Sequence, residues 1–227
     1  MLSERSILQT QNIDCNVINY CTKEELAHAD LGDYRQLYED TYKIAEFMSN
    51  QLKIKCPDIG FSDEIRSCDD MGRISVEGAM MYTPKDVPSL QNNLILMSLE
   101  DFDIIQFSGT LAHEMRHIWQ DTYHPEMNES HAKGFEESLM HPAEIDADGY
   151  AIWYISEATN MYIDKAAGIM CPEEKKHHPK AYMYRIEKVK EIKAYFDEQR
   201  EKMIAEMNAS KKHKKASFLD TLKHLFN

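Results

Sequence analysis

Apolar positions along the chain change period several times, and each change marks an element. Over residues 33–54, Leu37, Ile44, Ala45, Met48 and Leu52 recur at helical spacing, and "CPDIG" (Cys56–Gly60) ends the run. Ahead of it, residues 1–21 carry no clear period, while Thr22 and Glu25 offer a capping box. Residues 60–100 change character. "GFSDEI", "GRISVEGAMMYT" and "NNLILMSL" are short stretches of β-branched and apolar residues, punctuated by glycine, proline and aspartate. They predict a small twisted sheet, with Asn93–Ser98 the strongest strand.

Helical periodicity returns over 103–121 and 142–160. The second run has His141 at its N-cap and Pro142 at the first helical position, where proline is well tolerated. The polar segment between the two runs predicts loop. Residues 173–208 form a charged helical pattern. "SKKHKK" interrupts it, and "ASFLDTLKHLF" makes a short amphipathic end. The whole reads as α+β: a small mixed sheet packed on two central helices, with additional N- and C-terminal helices.

Composition narrows this picture. A chain of 227 residues with 43% hydrophobic and 29% charged residues fits one soluble domain with an appendage. We place the domain at 1–172 and a basic helical extension, packed on it or projecting from it, at 173–227. No apolar run approaches the roughly 20 residues of a membrane span. The first residues lack the basic and apolar regions of a secretory signal. The five cysteines are odd in number and form no CxxC pair. Reduced thiols and a cytoplasmic location are therefore expected.

Charge is unevenly spread. Residues 1–172 carry 12 basic and 30 acidic side chains, against 14 and 9 over 173–227. An acidic body argues against nucleic acid as its partner. The basic tail is suited to an anionic partner, to solvent, or to the acidic body itself.

The candidate chemistry lies in "LAHEMRHIWQ" (Leu111–Gln120). On a helix, His113 and His117 fall about 40° apart on one face. Two imidazoles there can share a metal ion, and zinc favours such nitrogen ligands while leaving a position for water. Glu114 sits at the edge of that face, placed to take a proton from the water. Phe107, Leu111, Met115, Ile118 and Trp119 occupy the opposite side and give the helix an anchor. One such motif can arise by accident in a chain with 10 histidines, so a second feature is needed.

"AEIDADGYA" (Ala143–Ala151) supplies it. Glu144 and Asp148 lie one helical turn apart. Glu144 suits a third ligand from a second helix. Asp148 suits an acceptor for the outer nitrogen of a ligating histidine. Asp148 and, less well placed, Asp146 are the alternative third ligands. Ala151 continues the stripe and allows close helix approach. A third histidine in the metzincin register is missing: Gln120 and Tyr123 stand at the required positions, and His124 is one residue away.

"HEMRH" with downstream "EIDAD" resembles the gluzincin metallopeptidases. The order of elements over 93–157 resembles compact ImmA/IrrE-like and SprT-like proteases. The resemblance implies one zinc ion held by His113, His117 and Glu144, with Glu114 as general base and Asp148 orienting a histidine. It also implies a protein or peptide substrate paired along an upstream edge strand, near Asn93–Ser98 or Gly72–Tyr82. The expected function is zinc-dependent peptide-bond hydrolysis. Two other readings stand beside it: a zinc-binding regulatory or interaction protein without turnover, and a helical scaffold whose motif is accidental.

No oxyanion donor is singled out. Tyr150, Tyr154, Tyr162, His177 and His178 are available, and Arg116 and Gln120 share the metal face. Of these, Tyr150, Tyr154, Arg116 and Gln120 are the candidate substrate or oxyanion contacts. The Met and Tyr stripe of "KAYMYRI" fits core packing.

Overall fold

The computed structural model describes residues 13–28, 30–68, 74–85, 90–100, 103–128 and 139–225; side chains at 13–20, 63–64, 66–68, 74–77, 80, 128 and 210–225 are outside the description. Among the described residues, five strands precede most of the helices. They are β1 (Ile13–Cys21), β2 (Asp58–Cys68), β3 (Ile74–Glu77), β4 (Ala79–Tyr82) and β5 (Leu94–Ser98). Helix α1 (Arg35–Leu52) lies between β1 and β2. The rest are α2 (Ile104–Tyr123), α3 (Pro142–Thr159), α4 (Ile163–Met170), α5 (Pro172–His177) and α6 (Pro179–Leu225).

The sheet is mixed, in the order β1-β2-β5-β4, with β3 beside the far half of β2. Strand β5 runs parallel to β2 and antiparallel to β4. It is inserted where the chain diverges from β2 at Gly78. There the Ser98 amide donates to the Gly78 carbonyl (2.9 Å) and the Leu99 amide to that of Ser62 (2.8 Å). All five β5 residues are buried, so the strongest strand of the sequence is an interior one and not the edge. One edge is β4, and it lies against α2; β1 is at the other end of the strand order.

Strand β1 has no counterpart in the sequence pattern. Its pairing with β2 carries two register irregularities, and such breaks disturb the two-residue alternation by which strands are read. Thr22 and Glu25 do form the reciprocal bonds of a capping box, at 3.2 Å each way between amide and side chain. Residues 23–28 nonetheless make a series of turns, not a helix. The Tyr42 hydroxyl ties α1 to two strands, donating to the Cys21 carbonyl (2.6 Å) and accepting from the Ile59 amide (3.1 Å).

Helix α2 begins where Asp103 accepts from the amides of Ile105 (3.0 Å) and Gln106 (2.9 Å), a side-chain N-cap. It packs on α1 and the sheet with one flank and on α3 with another. Tyr38, Phe61 and Phe107 join α1, β2 and α2 ring to ring. Helix α3 starts with His141 as N-cap and Pro142 in its first turn. It runs between α2 and α6 and is buried almost all round. Full burial of a side chain such as Leu111 or Ile152 contributes about 1.5–3 kcal/mol. Gly149 lets α6 pack tightly on α3: a Cβ there would lie 2.6 Å from Lys188 Cγ.

The C-terminal segment departs from expectation. "SKKHKK" does not interrupt the helix, which continues through it to Leu225; lysine and alanine are good helix formers and the stretch holds no glycine or proline. Tyr182, Val189, Ile192 and Phe196 of α6 enter the core. Beyond that, residues 201–209 are all exposed. Of the polar segment before α3, Pro125–Asn128 form a 3-10 turn, and 129–138 lie outside the described residues. Cys21, Cys56 and Cys171 are free thiols. Among the described residues, no helix is long and apolar enough to cross a membrane.

Candidate metal centre

His113 and His117 emerge from one face of α2, and Glu144 reaches them from the first turn of α3. The two Nε2 atoms lie 2.9 Å apart. Glu144 Oε2 is 3.3 Å from that of His113 and 3.7 Å from that of His117. These residues are the one group of metal-ligating side chains found converging among the described residues. Ligands of a tetrahedral zinc ion at its usual bond lengths stand about 3.3 Å from each other. The observed separations bracket that value, so the donor set fits such an ion. Asp146 and Asp148, the alternative third ligands, point elsewhere.

Asp148 stands behind His113. Its Oδ1 accepts from Nδ1 at 2.8 Å, which leaves the Nε2 lone pair free for a metal. Its Oδ2 accepts from Arg185 Nε at 2.6 Å. Arg185 is 2% exposed and also donates to the carbonyls of Leu139 (2.8 Å) and Ala181 (3.3 Å). Burial opposes ionisation of Asp148, but the His113 bond and the Arg185 charge hold its carboxyl below the usual range.

Gln120 stands behind His117. Its Nε2 donates both to the Ala143 carbonyl and to Asp146 Oδ2, each at 2.9 Å. The amide oxygen must therefore face His117, 2.8 Å from Nδ1, and Nδ1 must carry the proton. Asp146 is held in turn by Arg116, through Nε at 2.7 Å and Nη2 at 3.2 Å. The Arg116 guanidinium lies 3.5 Å over the Trp119 ring.

Arg116 and Gln120, two of the candidate substrate or oxyanion contacts, are 8% and 0% exposed, and their side chains are engaged behind His117. Tyr150 is also buried, and its hydroxyl donates to Gln51 (2.9 Å), so it is no contact for substrate in this arrangement. Tyr154 is half-buried against the core. Tyr162 is exposed, and His177 sits on the surface near Glu173 (3.6 Å).

Arg185 went unnoticed in the sequence, though a signal exists. It falls at helical spacing within the apolar stripe of Ala181, Tyr182, Val189 and Ile192, where a charge must have a buried partner.

The electrostatics favour a cation. Arg185 pairs with Asp148 and Arg116 with Asp146, while the Glu144 carboxylate faces both imidazoles and the Glu114 charge also favours their protonated forms. Burial would lower the His113 pKa, but its bonds to Asp148 and Glu144 raise it well above the ordinary value. Burial would raise that of Glu144, and the two imidazoles hold it far below the carboxylate range. A possible metal-binding site of two histidines and one glutamate is therefore present. No family model, curated protein or solved structure matches this chain.

Proposed function

We propose that the protein is a zinc-dependent peptidase of the gluzincin kind. The observation that carries the reading is the convergence of His113, His117 and Glu144 with Glu114 beside them on the same helix. A site that served only to hold the fold together has no use for that second carboxylate. When bound, the zinc ion supplies a Lewis acid and a water of lowered pKa.

The chain's own residues do the rest. Asp148 and Gln120 fix both imidazoles with Nε2 toward the metal. Glu114 takes the proton of the attacking water and delivers it to the leaving amine. Strand β4 is the natural place for an extended peptide, because it is a sheet edge beside the helix that carries the histidines. Gly78, at its start, would place a Cβ 3.5 Å from Thr110, one turn before His113.

The test joins metal analysis with a Glu114→Gln variant. The purified protein should carry one zinc ion per chain, and so should the variant. Comparing the new N-termini produced in a proteome by each should show cleavage by the parent alone, with turnover reduced by about 10²–10⁴-fold in the variant. Zinc bound without any parent-specific cleavage would favour a regulatory zinc protein. A protein without zinc would sink both readings.

A further inference from the structure

A cavity of about 560 Å³ opens on the flank of α2 that carries Arg116, Trp119 and Tyr123, not the one that carries the histidines. Its size falls within the range of small-molecule pockets. Tyr195 and Phe196 of α6 form a further wall, the end of α1 closes it, and Arg116 with Asp146 line it too. Four aromatic side chains with a few charged groups are the usual lining for a planar ligand that has one polar end.

The charges indicate the sign of that end. Arg116 is bonded to Asp146, and Lys188 to Glu191 at 2.6 Å. Lys53, at the left-handed C-cap of α1, has no ion-pair partner among the described residues. An unbalanced cation at the edge of an aromatic cavity calls for an anionic group.

We propose that this cavity binds a small planar aromatic carboxylate, with its ring against Trp119, Tyr195 and Phe196 and its carboxylate toward Lys53. We place this site in communication with the metal centre. Asp146 Oδ2 accepts from both Arg116 Nε (2.7 Å) and Gln120 Nε2 (2.9 Å), and Gln120 orients His117. A ring seated against Trp119 acts on the Arg116 guanidinium stacked over that indole at 3.5 Å and so on its hold on Asp146, and Asp146 in turn holds Gln120. By linkage, metal occupancy then alters affinity for the ligand by the same factor.

Calorimetry with naphthoate, using the full chain both metal-free and zinc-loaded, tests the proposal. One naphthoate should bind per chain. The neutral naphthalenemethanol, and naphthoate on the Lys53→Gln variant, should each bind about tenfold more weakly. Lys53→Arg should retain the affinity, and Tyr195→Ala, at an exposed position, should lower it without unfolding the chain. Absence of binding up to about 1 mM naphthoate overturns the site. Equal affinity for the acid, the alcohol and the Lys53→Gln variant overturns its anionic specificity.

Chelator competition should show zinc affinity shifted about threefold or more by saturating naphthoate; an unchanged affinity removes the communication. Binding to the metal-free protein is read without any cleavage assay, so its failure is distinct from failure of the peptidase reading.

Discussion

His113 and His117 are four residues apart on one helix, yet they are held in different ways. His113 leans on a charged acceptor from another helix, and that acceptor leans on an arginine from a third. His117 leans on an amide three residues along its own helix, and charge enters only one step further back, at Asp146 and Arg116. The His113 arm ties α2, α3 and α6 together through Asp148 and Arg185. The His117 arm stays between α2 and α3. A carboxylate raises the basicity of the imidazole that it accepts from more than an amide does. The two imidazoles are therefore unequal as donors to any metal bound there: His113 is the more basic, and its orientation depends on the whole helical packing.

The sharpest way to break this comparison is Arg185→Leu. It leaves the Asp148 carboxylate buried without its cation and strips two carbonyls of their donor. We expect a loss of about 3–5 kcal/mol, seen as a fall in the apo-protein melting temperature of about 10 °C or more. Arg116→Leu should cost less, because Asp146 keeps the Gln120 amide. Equal losses would mean that the arms are equivalent.

Asp148→Asn comes next. It preserves the shape but removes the charge, and zinc affinity should fall about 100-fold in a chelator competition. Gln120→Leu should lower zinc affinity by about tenfold, since it removes an uncharged acceptor. If Gln120→Leu proves the more damaging of the two, the assigned inequality is reversed.

Gln120→Glu sharpens the contrast by placing a charged acceptor behind His117. It should not strengthen zinc binding, because the glutamate has no donor for the Ala143 carbonyl and repels Asp146. A stability cost of about 1–3 kcal/mol is expected in denaturant unfolding. The smallest effect belongs to the far end of the tying helix. Met203→Ser and Met207→Ser lie where α6 is exposed, and should change stability by no more than about 0.5 kcal/mol with zinc affinity unaltered.

Much of the site was legible in the sequence because its spacing is a helical spacing. His113 with His117, and Glu144 with Asp148, are each one turn apart, and any chain that makes these two helices puts each pair on one face. The apolar back of α2, the proline at the head of α3 and the existence of strand β5 were legible for the same local reason. Arg116 and Gln120 show where this stops. Helical geometry placed them near the metal face, but whether a polar side chain turns toward substrate or inward depends on what faces it. Here Asp146 and the Ala143 carbonyl turn them inward.

The remaining decisions were wholly tertiary. Strand β1 is made by pairing with β2 through an irregular register, so no local alternation announces it. The edge position of β4 exists because β5 inserts at Gly78, an outcome set by strand order. Arg185 lies 37 residues beyond the aspartate that it holds, and only the packing of α6 on α3 brings them together. The sequence by itself determined which side chains share a helix face, because backbone geometry repeats every turn. Tertiary structure decided which faces meet and which charges neutralise one another, because burial is tolerated only where distant partners converge.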